Sequence, residues 1–219
     1  MVPYQSETQS DASSNTNASK TTLPPLSLYI HVPWCVRKCP YCDFNSHEFK
    51  GKSAEEHIPE AEYVQALLDD LEADLSYVQG REIQTIFIGG GTPSLLSVAA
   101  FEKLLTGLQK KVTFVNDIEI TLEANPGSSE AEKFAGFRDA GINRLSIGVQ
   151  SFNDDILAMT DRIEKFGTGQ QTFDKIMAAK ELFPIINVDL IFGFRGQTDE
   201  VIQHDLDMAS KLDPRQITT

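Results

Sequence analysis

The chain has 219 residues, of which 41% are hydrophobic, and a formal net charge of -13 at neutral pH. This size and apolar content suit one globular domain with a substantial core, with or without a tail. The acidity argues against nucleic-acid binding, which needs a basic face to displace counterions, and apolar stretches such as residues 85–88 are strand-sized, far short of the roughly 20 residues of a transmembrane helix.

Residues 1–25, MVPYQSETQSDASSNTNASKTTLPP, are rich in Ser, Thr and Asn and nearly devoid of large apolar side chains. Such a segment does not offset its ordering entropy by burial and reads as a disordered tail. It has no apolar secretion signal, and with two acids and no arginine it makes a poor organelle-targeting peptide. A cytoplasmic setting is the default. Three thiols confined to residues 35–42 agree with it, because an odd, crowded set forms no secreted disulfide framework.

The core domain is expected over residues 26–219. Strand-like segments fall at 27–32 (SLYIHV), 85–90 (TIFIGG), 117–124 (DIEITLEA), 144–151 (RLSIGVQS) and 186–193 (INVDLIFG), with a sixth strand opening at 216–219. Helical patterns lie between them at 61–78, 98–111, 129–140, 154–159 with 169–183, and 198–211. This order is β/α repetition, which gives parallel strands joined by right-handed crossovers. Both a doubly wound sheet and a barrel fit it.

Strand periodicity favours the barrel. Ile118, Ile120 and Leu122 share one face against Glu119, Thr121 and Glu123; Leu145, Ile147 and Val149 lie opposite Ser146, Gly148 and Gln150; Val188, Leu190 and Phe192 lie opposite Asn187 and Asp189; and Leu28, Ile30 and Val32 lie opposite Tyr29 and His31. Helices cover the apolar faces, so the polar faces converge on one interior and imply a ligand cavity. The alternative is an antiparallel sheet with one wet face, which the long helical connections oppose.

In a β/α barrel the chemistry sits at the C-terminal ends of the strands. Here those ends carry a cysteine loop, the turn Gly89-Gly90-Gly91-Thr92-Pro93, the run Glu123-Ala124-Asn125-Pro126-Gly127, and Gln150-Ser151. The glycine triplet fits a tight turn, and its bare backbone also admits a polar ligand close to the amides. The loop holds every cysteine of the chain, Cys35, Cys39 and Cys42, spaced C-x3-C-x2-C. Zinc with His47 as fourth ligand is one reading. An iron-sulfur cluster is the other: four irons on three thiolates leave one iron open to a small molecule.

The segments SLYIHVPWCVRKCPYCDFNSH, IFIGGGTPSLL, EANPGS, GINRLSIGVQSFND and NVDLIFGFRGQT resemble the radical S-adenosylmethionine (SAM) superfamily, and within it the oxygen-independent coproporphyrinogen III oxidase group. The resemblance runs from about Leu26 to the end of the chain and implies a partial (β/α)6 TIM-like barrel, incomplete at the sixth strand. It implies that Cys35, Cys39 and Cys42 ligate a [4Fe-4S] cluster whose fourth iron is chelated by SAM. One electron passed to the sulfonium then yields methionine and a 5'-deoxyadenosyl radical. By the same resemblance Gly90, Gly91 and Thr92 meet the methionine amino group, Glu123 the ribose, and Tyr29, Tyr41, Gln150, Arg162 and Asp189 other parts of SAM. Arg162 can pair a carboxylate with its planar fork. The alternative for each is structural hydrogen bonding at a strand end.

True oxidases of this group resemble C-x3-C-x2-C-x-C, whereas this chain has Phe44 in place of the last cysteine. CDFNSH resembles instead the heme-chaperone branch, implying heme as cargo, heme-accepting proteins as partners and an electron donor for the cluster; oxidative decarboxylation of coproporphyrinogen III is the alternative activity. The chain departs from the family where Gly-Arg-x-His is replaced by Asp161-Arg162-Ile163-Glu164 and where Phe194-Arg195 stands for Leu-Pro. The family also continues past the sixth strand, so an open sheet edge is expected to favour self-association. His31 reads as a lumen hydrogen-bonding residue rather than a heme ligand, and His57 and His204 as helix-surface residues.

Overall fold

The computed structural model describes residues 23–48, 58–127 and 131–219. The expected tail at 1–25 and His57 therefore lie almost wholly outside the described residues. Strands β1 (Leu26–Val32), β4 (Ile83–Gly90), β5 (Phe114–Ala124), β6 (Arg144–Gln150), β7 (Ile185–Leu190) and β8 (Gln216–Thr218) form one sheet in the order β1-β4-β5-β6-β7-β8. Every neighbouring pair is parallel, which removes the antiparallel alternative. A two-residue ribbon, β2 (Trp34–Cys35) with β3 (His47–Glu48), closes the base of the cysteine loop.

Helices α1 (Glu60–Val78), α2 (Val98–Gln109), α3 (Phe134–Asp139), α4 (Asp154–Met159), α5 (Ile163–Phe166), α6 (Gly169–Lys180) and α7 (Asp199–Lys211) occupy the crossovers. Their starts follow local chemistry. Ser97 caps α2 by accepting from the Ala100 amide, Asn153 caps α4 through the amides of Asp155 and Ile156, and Thr168 with Gln171 forms a capping box on α6. Val64, Leu68 and Leu71 of α1 recur at helical spacing and are its buried stripe. The helix expected over 129–140 is shorter, Phe134–Asp139, with residues 128–130 outside the described set, and α5 is an added turn that its four residues were too few to announce.

The core lies on the helix side of the sheet. Ile86, Ile88, Leu122, Leu145, Ile147, Val149, Ile186 and Val188 pack with Phe101, Leu104, Phe137 and Phe183, all nearly or fully buried. Burial of the apolar residues follows the strand alternation except at one position. Strand β7 ends at Leu190 rather than at Gly193, so Phe192 leaves the apolar face and stands 63% exposed. The cause is local: the Ile191 amide turns to the Gln150 carbonyl at 2.9 Å, and Gly193 follows with φ +90°. Among the described residues, no helix is long and apolar enough to cross a membrane.

One glycine fixes how the β6-to-α6 excursion folds back. A Cβ on Gly169 would lie 1.7 Å from the Phe152 carbonyl oxygen, and the Gly169 amide donates to the Asp154 carboxylate at 2.8 Å. Gly169→Ala is expected to cost about 3 kcal/mol in urea unfolding, at the top of the usual overpacking range, because backbone rather than a side-chain tip must yield.

Candidate functional site

Strand ends and one loop bring the sequence-predicted residues to a single rim. The cysteine loop is fastened at its root, where the Gly91 amide donates to the Val32 carbonyl (2.7 Å) and the Thr92 amide to that of Trp34 (2.8 Å). This close approach is what demands glycine: a Cβ on Gly90 (φ +114°) would sit 2.7 Å from the His31 ring, and one on Gly91 would sit 2.5 Å from the Trp34 carbonyl oxygen. Tyr63 of α1 braces the same root, its hydroxyl donating to the His31 carbonyl and its ring meeting Trp34 edge-on at 4.7 Å. With the Gly90 amide given to Glu123 at 2.9 Å, all three amides of residues 90–92 have intramolecular acceptors. Any backbone contact from this turn to a ligand therefore falls to its carbonyl oxygens, not to the amides that glycine first suggested.

Cys35 is buried, Cys39 and Cys42 are half-buried, and all three are free thiols. The Cys42 amide donates to the Cys39 carbonyl at 3.1 Å, setting the last two on one tight bend, and the Thr92 hydroxyl approaches the Cys35 sulfur at 3.7 Å. Among the described residues no three His, Cys, Asp or Glu side chains are arranged to share a single metal ion, and His47 is exposed on β3. A polynuclear cluster spaces its thiolates more widely than one ion does. Three thiols without a fourth partner fit such a cluster with one open metal position.

The lumen face adds carboxylates beside this loop. Burial pushes the Glu123 carboxyl up to about 7; the Gly90 amide opposes this, the charge of Asp189 adds to it, and His31 opposes it. Asp189 is also raised by burial, against hydrogen bonds from the Ser146 hydroxyl (2.9 Å) and the Asn187 amide (2.6 Å). His31 bridges Tyr29 and the loop: Nε2 donates to the Asn45 carbonyl at 2.7 Å, which leaves Nδ1 to accept the Tyr29 hydroxyl at 2.9 Å. It is a lumen hydrogen-bonding residue, as expected. Tyr29 itself is 57% exposed and lies in parallel contact with Phe87.

Arg162 gathers the other side of the rim. It is 2% exposed, and its guanidinium donates to the Tyr41 hydroxyl (3.2 Å), the Asn125 side-chain oxygen (3.3 Å) and the Gly148 carbonyl, while lying 4.5 Å over the Phe166 ring. Its Nε is buried with no partner among the described residues. Burial pushes the Tyr41 phenol up to about 12, with Arg162 opposing and Cys39 adding. Asp161, standing where the family has glycine, adopts φ +59°, which explains the usual glycine, and its carboxylate pairs with Arg37 of the cysteine loop at 2.6 Å. Gln150 also has a left-handed φ of +71°, at a register shift between β6 and β7, and its side-chain Nε2 lies 2.8 Å from where a Gly148 Cβ would project.

All the predicted site residues thus line the rim or its immediate support. Sequence reasoning missed the supports: Asn125 under Arg162, Phe166 beneath the guanidinium, and Ser146 with Asn187 around Asp189. Asn125 lay within a motif already singled out, whereas period alone does not say which lumen side chain holds which. A separate groove of about 740 Å³ between α1 and α2, lined by residues such as Leu68, Glu72 and Lys103, contains none of this chemistry.

The sequence profile of the radical SAM superfamily matches residues 29–209. Among curated proteins, the chain is 50% identical over 192 residues to the heme chaperone HemW of Escherichia coli strain K12, covering 88% of this chain and 49% of that protein. It is 48% identical over 202 residues to HemW of Haemophilus influenzae, with 90% and 50% covered, and 37% identical over 189 residues to HemW of Bacillus subtilis, with 85% and 48% covered. The chain spans about half the length of these curated relatives. Among solved structures, coproporphyrinogen III oxidase (HemN) from Escherichia coli, described as a radical SAM enzyme, superposes with a TM-score of 0.73 at 30% identity over 89% of this chain and 44% of that one. Methylornithine synthase (PylB) shares the fold, with a TM-score of 0.58 at 12% identity over 88% and 52% of the two chains.

The Glu123 carboxyl gives the site a pH signature. Its folded value stands above the unfolded 4.5, so the native state holds the proton longer and stability falls as pH rises from about 4.5 to about 7, then levels off. The loss is on the order of 3 kcal/mol. Glu123→Gln removes the ionisation while keeping an acceptor for the Gly90 amide. Urea unfolding should find the variant more stable than the parent near pH 8 and close to it near pH 4.

Proposed function

The chain belongs to the radical SAM superfamily, and we propose that within it the protein is a heme chaperone, holding a [4Fe-4S] cluster through Cys35, Cys39 and Cys42, binding SAM at the rim, and carrying heme to heme-requiring proteins. The observation that carries this reading is the cysteine set. Three thiols in C-x3-C-x2-C are all the chain has, and Phe44 occupies the position of the further cysteine in the oxidase signature. Phe44 is 63% exposed and offers no thiol for ligation or hydrogen transfer. The 50% identity to a protein named heme chaperone supports the same branch. Coproporphyrinogen III oxidation is the second reading, favoured by the likeness to HemN in fold.

A [4Fe-4S] cluster, when bound, supplies a single low-potential electron to a sulfonium ligand at its open iron. The chain's own residues supply binding and orientation. Arg162, with a buried Nε left over, suits the ligand's carboxylate. The carbonyl oxygens of Gly90 and Gly91, beside Thr92, suit its ammonium. Glu123, ionised above about 7, accepts from ribose hydroxyls, so affinity for SAM should rise as pH passes through that value. Tyr29, Tyr41, Gln150 and Asp189 complete the contacts. Three thiols with no disulfide partner suit a reducing compartment, which supports a cytoplasmic setting, and the cluster needs an external electron donor.

Anaerobic reconstitution is expected to give about four irons and four sulfides per chain, with visible absorption lost on changing any one cysteine to Ala. Stoichiometric zinc with no cluster would overturn the assignment. With cluster, SAM and reductant present, a titration followed at the Soret band should show saturable heme binding, and coproporphyrinogen III should remain unconverted. Multiple-turnover decarboxylation would make the oxidase reading the better one.

A further inference from the structure

Helix α7 contributes no residue to the rim, yet it carries a carboxylate buried to 3% exposure, that of Asp205. Asp205 Oδ2 accepts the Ser151 hydroxyl at 2.7 Å and Oδ1 accepts the Phe152 amide at 2.6 Å. Among the described residues it has no cationic partner. A carboxylate is costly to bury, and this one is spent on the two residues that follow Gln150.

Those two residues govern the segment that builds half the rim. Gln150 holds a left-handed φ of +71° at the β6 register shift, a conformation that non-glycine residues keep only where the surroundings over-determine it. Its carbonyl is tied to the Ile191 amide, and the next two positions are tied to Asp205. The Ser151 hydroxyl also accepts the Asn153 amide at 3.0 Å, Asn153 caps α4, and α4 runs into the turn where the Arg162 amide donates to the Leu157 carbonyl at 2.8 Å. One carboxylate thus stands at the root of an excursion whose two ends present Gln150 and Arg162 to the same ligand.

We infer that Asp205 is a positioning residue for SAM binding: its carboxylate clamps Ser151 and Phe152, and through them sets Gln150 and Arg162 in the geometry that the ligand needs. This rests on the proposal that SAM binds at the rim. Loss of the clamp leaves the binding-competent arrangement only fractionally populated, and apparent affinity falls by that fraction.

The test compares Asp205→Ala, Asp205→Asn and Ser151→Ala with Leu212→Ala, a fully buried residue at the C-terminal end of the same helix that touches none of the clamp's hydrogen bonds. SAM dissociation constants are measured calorimetrically on cluster-reconstituted protein, alongside thermal unfolding and hydrogen exchange of amides 151–162. Asp205→Ala should weaken SAM by about tenfold and speed exchange selectively in that segment. Asn, which keeps an acceptor for the Phe152 amide, should recover most of the affinity, and Ser151→Ala should fall between. Leu212→Ala should lower the unfolding temperature with affinity within about twofold of the parent. Should Asp205→Ala fail to fold, the Asn and Ser151 variants carry the same comparison. Equal weakening by Leu212→Ala, or unchanged affinity in Asp205→Ala, overturns the inference. A parent protein that binds no SAM overturns the rim reading instead, and exchange then decides the clamp: acceleration confined to 151–162 upholds it, and uniform acceleration across the sheet overturns it.

Discussion

The rim is organised around the burial of Arg162. A guanidinium taken out of water must find partners, and this one finds a phenol, a carboxamide, a peptide carbonyl and a ring face, with no carboxylate among the described residues that touch it. Its charge is hydrogen-bonded but not neutralised. Each partner belongs to a different part of the chain: Tyr41 to the cysteine loop, Asn125 to the end of β5, Gly148 to β6. Satisfying one side chain therefore fixes the relative placement of three segments that local sequence alone leaves independent. It also sets an unpaired positive charge beside the rim of a protein whose overall charge is -13, a local exception that suits the acidic end of a small ligand.

The polar lumen has an energetic counterweight. Glu123 and Asp189 are both held above their ordinary carboxyl range by burial, and the charge of Asp189 adds to the rise at Glu123. A sheet designed only for stability would place aliphatic side chains there, as ordinary closed barrels do. The helix-facing side supplies the offset, with Ile86, Ile88, Leu122, Leu145 and Val149 fully or almost fully buried against the aromatic residues of α2 and α3. Stability is concentrated on one face of the sheet and chemistry on the other, with strand alternation keeping them apart.

That division is why so much of the fold was legible in the sequence. A period of two needs no tertiary information, so the lumen positions of Tyr29, Glu123, Gln150 and Asp189 followed from spacing, and C-x3-C-x2-C announced its own loop. What stayed hidden depends on contacts between distant segments. Phe192 obeys the strand period but falls after the Ile191 amide has turned away to Gln150. The glycine turn suggested free amides, but those of Gly90, Gly91 and Thr92 are taken by Glu123, Val32 and Trp34 in turn. Asn125, Ser146 and Asn187 are ordinary polar residues until their neighbours are known.

The turn before Arg162 shows how such contacts constrain change. With φ at +59°, position 161 admits glycine freely, Asn or Asp at modest cost, and β-branched residues hardly at all. A lineage that moves from glycine to Asp there accepts backbone strain, and the carboxylate then finds Arg37, which lies between two of the three thiols. From that point the two positions share one history. Loss of the arginine would strand an acid on a strained turn beside the cysteine loop, whereas reversion to glycine would release the arginine to vary, so substitutions 124 residues apart in the chain should arise and disappear as a pair.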